Sequence, residues 1–102
     1  MNEKIYTIDE IKEILRKVLK SKPVYQVILF GSYAKNLADK KSDIDLLIDT
    51  KNTLRGFALI GLICEIQEAL NKKIDGFEKY EIITGSKIDR EIKETGVVVY
   101  ER

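Results

Sequence analysis

The sequence contains no histidine. That absence removes the commonest general base near neutral pH and the commonest transition-metal ligand. A metal site in this chain has to be built mainly from carboxylate oxygens, which suits Mg²⁺, Mn²⁺ or Ca²⁺. Cysteine occurs once, at Cys64, so no intrachain disulfide can form, in keeping with a reducing cytoplasm. The apolar neighbours Leu62, Ile63 and Ile66 predict an inert, buried thiol there. No apolar run approaches the ~20 residues that span a bilayer, and the first residues lack a signal-peptide pattern, so no membrane association is expected. Charge of one sign is also missing in excess. A formal net charge of +1 leaves no broad basic field, hence no extended nucleic-acid-binding surface. Repeats, low-complexity tracts and interdomain linkers are absent as well.

What is present fits one domain over residues 1–102 with a single core. A first helix is predicted from Thr7 to Lys20. Thr7 and Glu10 form a capping box, and Ile8, Ile11, Leu15 and Val18 recur at helical spacing. Pro23 stops continuation. Val24 to Phe30, VYQVILF, reads as an inner strand covered on both faces. Gly31 ends it, and a short helix from Ser32 to Ala38 follows, then a polar turn at Asp39, Lys40 and Lys41. Ser42 to Asp49 is the second strand. A long helix spans residues 54–71, with Leu59, Leu62, Ile63, Ile66 and Leu70 as its core stripe. Its first half is apolar on a second side through Phe57, Ile60, Gly61 and Cys64. Such a helix is sandwiched within its own domain or meets another chain, a second copy of this one included. Lys73 to Phe77 makes a third strand, Tyr80 to Thr84 is ambiguous, and Ser86 with Asp89 caps a helix that runs to Glu94. Gly96 suits its C-terminus, and Val97 to Tyr100 is the last strand. Alternating strands and helices argue for an α/β or α+β layer, a short sheet with about four helices against it.

The chemistry is concentrated between Phe30 and Asp49, FGSYAKNLADKKSDIDLLID. Gly31 at a strand-to-helix turn lets backbone approach a ligand closely, and the free N–H groups and partial positive charge of the following helix start suit a phosphate. Ser32 adds a hydroxyl donor; alone, Gly31-Ser32 also fits a plain turn with a capping serine. Asp43 and Asp45 lie two apart on a strand and therefore share a face, while Ile44 and Leu46 point the other way into a core. Two adjacent carboxylates repel, so the pair needs a cation, a shared proton or full solvation. Asp75, on another strand, can add a third ligand, and three carboxylates with phosphate oxygens suit two Mg²⁺ ions. Asp75 also fits a strand-end turn residue, and Asp49 reads as strand-terminal and not a ligand.

In combination, G-S-Y-A-K at Gly31 to Lys35 followed by S-D-I-D-L at Ser42 to Leu46 resembles the nucleotidyltransferase superfamily that includes DNA polymerase beta. The likeness is strongest to its minimal single-domain branch, MNT, and extends through the Asp75 strand to the V-x-x-Y-E ending. It implies a polymerase-beta-like fold with a mixed sheet. It further implies that Gly31, Ser32 and Lys35 bind the nucleotide, and that Asp43, Asp45 and Asp75 are catalytic and hold two Mg²⁺ ions. Asp75 would also help deprotonate the acceptor. Lys35 stands where the family often has arginine, keeping charge without the bidentate fork, and Asn36 where it often has glycine. Members of this branch resemble antitoxins paired with HEPN toxins. The resemblance therefore implies transfer of AMP from ATP to a hydroxyl, such as a tyrosine of a HEPN-type toxin. The face around Phe57, Ile60 and Gly61 would be the docking surface. The alternative is a non-catalytic module that neutralises its partner by covering it. Transfer to a small molecule would need an acceptor domain for which no chain is left, and template-directed polymerisation is disfavoured by size and charge.

Overall fold

The computed structural model describes residues 4–102; the first three residues of the expected domain lie outside the described residues. The elements are α1 (Ile8–Leu19), β1 (Gln26–Phe30), β2 (Ile44–Asp49), α2 (Phe57–Leu70), β3 (Ile74–Glu78), a 3₁₀ turn at Lys79–Glu81, α3 (Lys87–Thr95) and β4 (Val97–Glu101). The strands form one mixed sheet in the order β3-β2-β1-β4. β1 pairs antiparallel with β2 and β4, and β2 pairs parallel with β3. The parallel pair needs a crossover, and α2 supplies it.

Why the chain folds this way is visible residue by residue. The Thr7–Glu10 capping box is formed in both directions, at 3.1 and 2.9 Å. Ile11, Leu15 and Leu19 bury the stripe of α1 completely. On β2, Ile44, Leu46 and Ile48 are fully buried and join Leu59, Leu62, Ile66 and Leu70 of α2 in the main core. Gly76 of β3 lets α2 approach closely, because a Cβ there would stand 2.7 Å from Ile63 Cδ1. Helices α1 and α2 thus cover one face of the sheet. Helix α3 crosses the other, nearest β1.

Several expectations change. Residues 32–36 are a run of turns, not a short helix; Lys35 N–H reaches Gly31 O, but Leu37 N–H reaches back to Ser32 O, and Asn36 takes the left-handed conformation at φ 59°. A single left-handed residue ends helical propagation. Among the described residues, three α-helices with one 3₁₀ turn stand where about four helices were expected. The stretch after β3 becomes that 3₁₀ turn and irregular chain, with Glu78 accepting from Tyr80 N–H at 2.6 Å. Helix α2 starts at Phe57, after Gly56 at φ 58°, instead of residue 54. Cys64 is exposed and not buried: it falls on the second side of α2 with Phe57 (92% exposed) and Ile60 (54%), a side no element of the described chain covers. Among the described residues no helix is long and apolar enough to cross a membrane.

Candidate active site

The sheet brings three chain ends together. β1 finishes at Phe30, β2 begins at Ile44 and β3 begins at Ile74, all at one end of the sheet. Phe30 pairs with Asp45, and Asp45 pairs with Asp75 in parallel register. Because Ile44, Leu46 and Ile48 take the α1/α2 side, strand alternation turns Asp45 and Asp75 to the α3 side.

The loop that delivers β2 is tied off locally. Asp39 Oδ1 accepts from Lys41 N–H at 2.8 Å, and Asp39 N–H donates to Ser42 Oγ at 2.9 Å. The Lys41 N–H and the Ser42 hydroxyl, which donates to Asp39 Oδ1 at 3.2 Å, hold the Asp39 carboxyl below its usual range, and together these bonds close the turn immediately before Asp43. Asp43 itself lies one residue outside β2. Its Oδ2 is 3.6 Å from Lys73 Nζ, in a partly exposed pair. Ile44 N–H donates to Lys73 O at 3.1 Å, so the same junction that starts the β2–β3 pairing fixes the place of Asp43.

Asp45 is the electrostatic centre. Its carboxyl is pushed up to about 6, first by burial, then by the charges of Asp75, Glu91 and Asp43, and by a hydrogen bond with Asp75. Burial and like charge both oppose ionisation, so the group holds a proton well above the ordinary carboxylate range. Gly31, at φ +76°, lies against it: a Cβ at position 31 would collide with Asp45 Oδ2 and stand 3.5 Å from Glu91 Oε1. Glycine is required there both for the backbone angle and for the carboxylate behind it. Gly31 N–H donates to Thr95 Oγ1 at 3.2 Å, and Thr95 Oγ1 donates to Glu91 O at 2.7 Å, which ties the end of β1 to α3. The Gly31 N–H is thereby engaged within the protein.

Of the six residues singled out from the sequence, Asp45, Asp75 and Gly31 come together directly. Asp43 stands beside them and leans to Lys73. Ser32 is half-buried in the turn, and Lys35 is exposed on it, lining a groove with Lys87, Arg90, Glu91 and Glu94. Asp49 is buried at the other end of β2, where Oδ1 accepts from Lys51 N–H at 2.9 Å. Among the described residues no three acidic side chains stand at metal-holding spacing. The donor set is all carboxylate oxygen, and its unrelieved like charge at Asp45 fits a hard divalent cation as the compensating group. Sequence reading overlooked Glu91 and Thr95. The charged stripe of α3, with Lys87, Arg90, Glu91 and Glu94 at i, i+3, i+4 and i+7, is visible in the sequence, but no local pattern links it or Thr95 to Gly31.

A family model described as a nucleotidyltransferase domain matches residues 8–98. The chain belongs to the nucleotidyltransferase family. Two provisionally named protein adenylyltransferases of Methanocaldococcus jannaschii are 42% and 41% identical to it, each over an alignment 80 residues long that covers 74% of this chain and 82% of the relative. A solved toxin–antitoxin structure with AMP-PNP superposes with a TM-score of 0.75 at 22% identity, covering 89% of this chain and 73% of that one. A tri-AMPylated HEPN toxin of Shewanella oneidensis in complex with an MNT antitoxin gives 0.70 at 19% identity, over 94% and 74%. These structural likenesses carry the fold, a four-stranded nucleotidyltransferase sheet, and the sequence relatives make this nucleotidyltransferase an enzyme of that class.

Proposed function

We propose that this nucleotidyltransferase transfers AMP from ATP to a hydroxyl of a partner protein, with a tyrosine of a HEPN-type toxin as the acceptor and the cytoplasm as its setting. The observation that carries the reading is the register of Asp45 against Asp75 beside Gly31. It concentrates carboxylate beside the Gly31–Ser32 turn, where a serine hydroxyl can meet a phosphate chain. In this reading Asp43, Asp45 and Asp75 would hold Mg²⁺, which would supply neutralisation of charge on the transferred phosphoryl group and on the departing pyrophosphate.

The residues of the chain divide the remaining work. With the Gly31 N–H engaged by Thr95, the turn presents the Ser32 hydroxyl to the phosphates, and Lys35 reaches them from the turn's exposed side. The acceptor oxygen attacks the α-phosphorus, the bond to the bridging oxygen of the β-phosphate breaks, and pyrophosphate leaves. Asp75 takes up the hydroxyl proton. The elevated proton affinity of Asp45 favours recruitment of a cation over an idle carboxylate pair, since ionisation without one is opposed by its neighbours. The uncovered apolar side of α2 at Phe57 and Ile60 supports docking of another protein chain. It would also serve the second reading, neutralisation by covering alone.

The test is to mix the protein with Mg-ATP and a HEPN-type protein from the same organism and to weigh that partner. A gain of one or more AMP units, lost in Asp43→Asn and Asp45→Asn, is expected. An unchanged mass with an active partner overturns the enzymatic reading. Neutralisation that survives in the Asp43→Asn/Asp45→Asn double variant would establish covering as sufficient.

A further inference from the structure

The groove beside the acidic cluster has a composition that the Asp43, Asp45 and Asp75 set does not explain. Lys35 comes from the turn after β1; Lys87 and Arg90 come from α3, more than fifty residues later in the chain. Together they line a groove of about 430 Å³ with Glu91 and Glu94. Among the described residues none of these three cations has an ion-pair partner within 4 Å. On the same helix, Lys93 is paired with Asp89 at 3.1 Å. Glu91 belongs to both places: it lines the groove, and its Oε1 stands 3.5 Å from the position a Gly31 Cβ would take, with its charge acting on Asp45. The groove therefore opens from the acidic cluster.

We propose that Lys87 and Arg90, with Lys35, seat the β- and γ-phosphates of the nucleotide, and so hold the pyrophosphate as it leaves. The assignment rests on the nucleotidyltransfer reading above and adds the two α3 residues to it. Phosphate is the occupant that the chemistry favours. A guanidinium and two ammonium groups converging from separate elements match an extended polyanion. The groove begins where a triphosphate anchored at Gly31 and Ser32 would continue. The two glutamates divide accordingly. Glu91 faces Asp45 and adds to the charge of that cluster. Glu94 is exposed at the rim and opposes phosphate binding, so its removal has the opposite sign from removal of a cation.

The test is calorimetric titration of the whole chain with Mg-ATP, Mg-pyrophosphate and Mg-AMP. Lys87→Ala and Arg90→Ala should each weaken Mg-ATP and Mg-pyrophosphate about tenfold and leave Mg-AMP unchanged, as expected for one charge-assisted contact apiece. Glu94→Gln should tighten Mg-ATP about twofold, and Lys93→Ala, whose cation is already paired, should change nothing. All four positions are exposed, so folding is not at stake. Wild type that binds Mg-ATP with Lys87→Ala and Arg90→Ala indistinguishable from it overturns the seat and leaves the transfer reading standing. Equal losses for AMP and ATP overturn it too. So does intact ATP binding with weakened binding of the protein partner, which would make the groove a dock for an acidic peptide. Wild type that binds neither Mg-ATP nor Mg-pyrophosphate removes the seat and the transfer reading together.

Discussion

Alternate residues of β2 live in opposite surroundings. Ile44, Leu46 and Ile48 are wholly enclosed by α1 and α2, where every neighbour is apolar and the chain has no freedom left. Asp45, one residue away on either side, faces α3, Asp75 and Glu91, and carries a proton affinity far from that of a free carboxyl. The first face holds the molecule together by burial. The second stores unfavourable electrostatics that the first tolerates. Stability and chemistry are therefore separable on a single strand, and substitutions on the two sides should fail in different ways.

The largest effect is expected at the acidic side. Asp45→Asn should lower AMP transfer by about a thousandfold or more, roughly 4 kcal/mol in the barrier, read as partner mass gain against time. The folded fraction should be unimpaired. On the apolar side, Leu46→Ala should lower unfolding stability by about 3 kcal/mol while each remaining folded molecule keeps its nucleotide affinity. Chemical denaturation and nucleotide titration on the same samples separate the two. Between the faces, Gly31→Ala should do both. The left-handed angle and the collision with Asp45 together cost about 2 kcal/mol and displace the carboxylate, so transfer and stability fall in one variant.

A subtler prediction concerns pH. The Asp45 carboxyl titrates near 6 in the folded chain against 3.8 ordinarily, so the folded state binds the extra proton. That contribution is fully present below pH 4 and is lost as pH rises through about 6. Without divalent ions, thermal unfolding should show stability falling over that window by about 1 kcal/mol, a figure reduced for the partial exposure of the group. Asp45→Asn should flatten the slope, and added Mg²⁺ should reverse it. The smallest effect tests the scaffold alone: Thr7→Ala removes the α1 cap for about 1 kcal/mol and leaves transfer per folded molecule unchanged.

These contrasts also explain what could be read in advance. The alternation of Ile44, Asp45, Leu46 and the capping box at Thr7 are local signals, and the structure keeps them. The Ser86 cap is kept only in part. Ser86 Oγ accepts from Asp89 N–H at 3.2 Å, but Asp89 Oδ2 turns to Gly85 N–H at 2.8 Å instead of closing the box. The stretch from Ser32 to Ala38 has helical composition, yet its course is decided by Asn36 and by where β2 must begin. The partners of Gly31 were not legible. Thr95 and Glu91 lie some sixty residues away, and only the placement of α3 across the sheet brings them there. Cys64 misled because apolar neighbours in sequence are not neighbours on a helix; Leu62 and Ile66 point inward from the opposite side.

The pairing of Asp45 with Asp75 has a bearing on how the chain finds its own shape. Sliding β2 by one position would push its aspartates into the hydrocarbon interior and turn its isoleucines onto the acidic cluster beneath α3. No shallow misalignment can survive that exchange. The side chains poised for transfer thus also proofread the sheet that carries them.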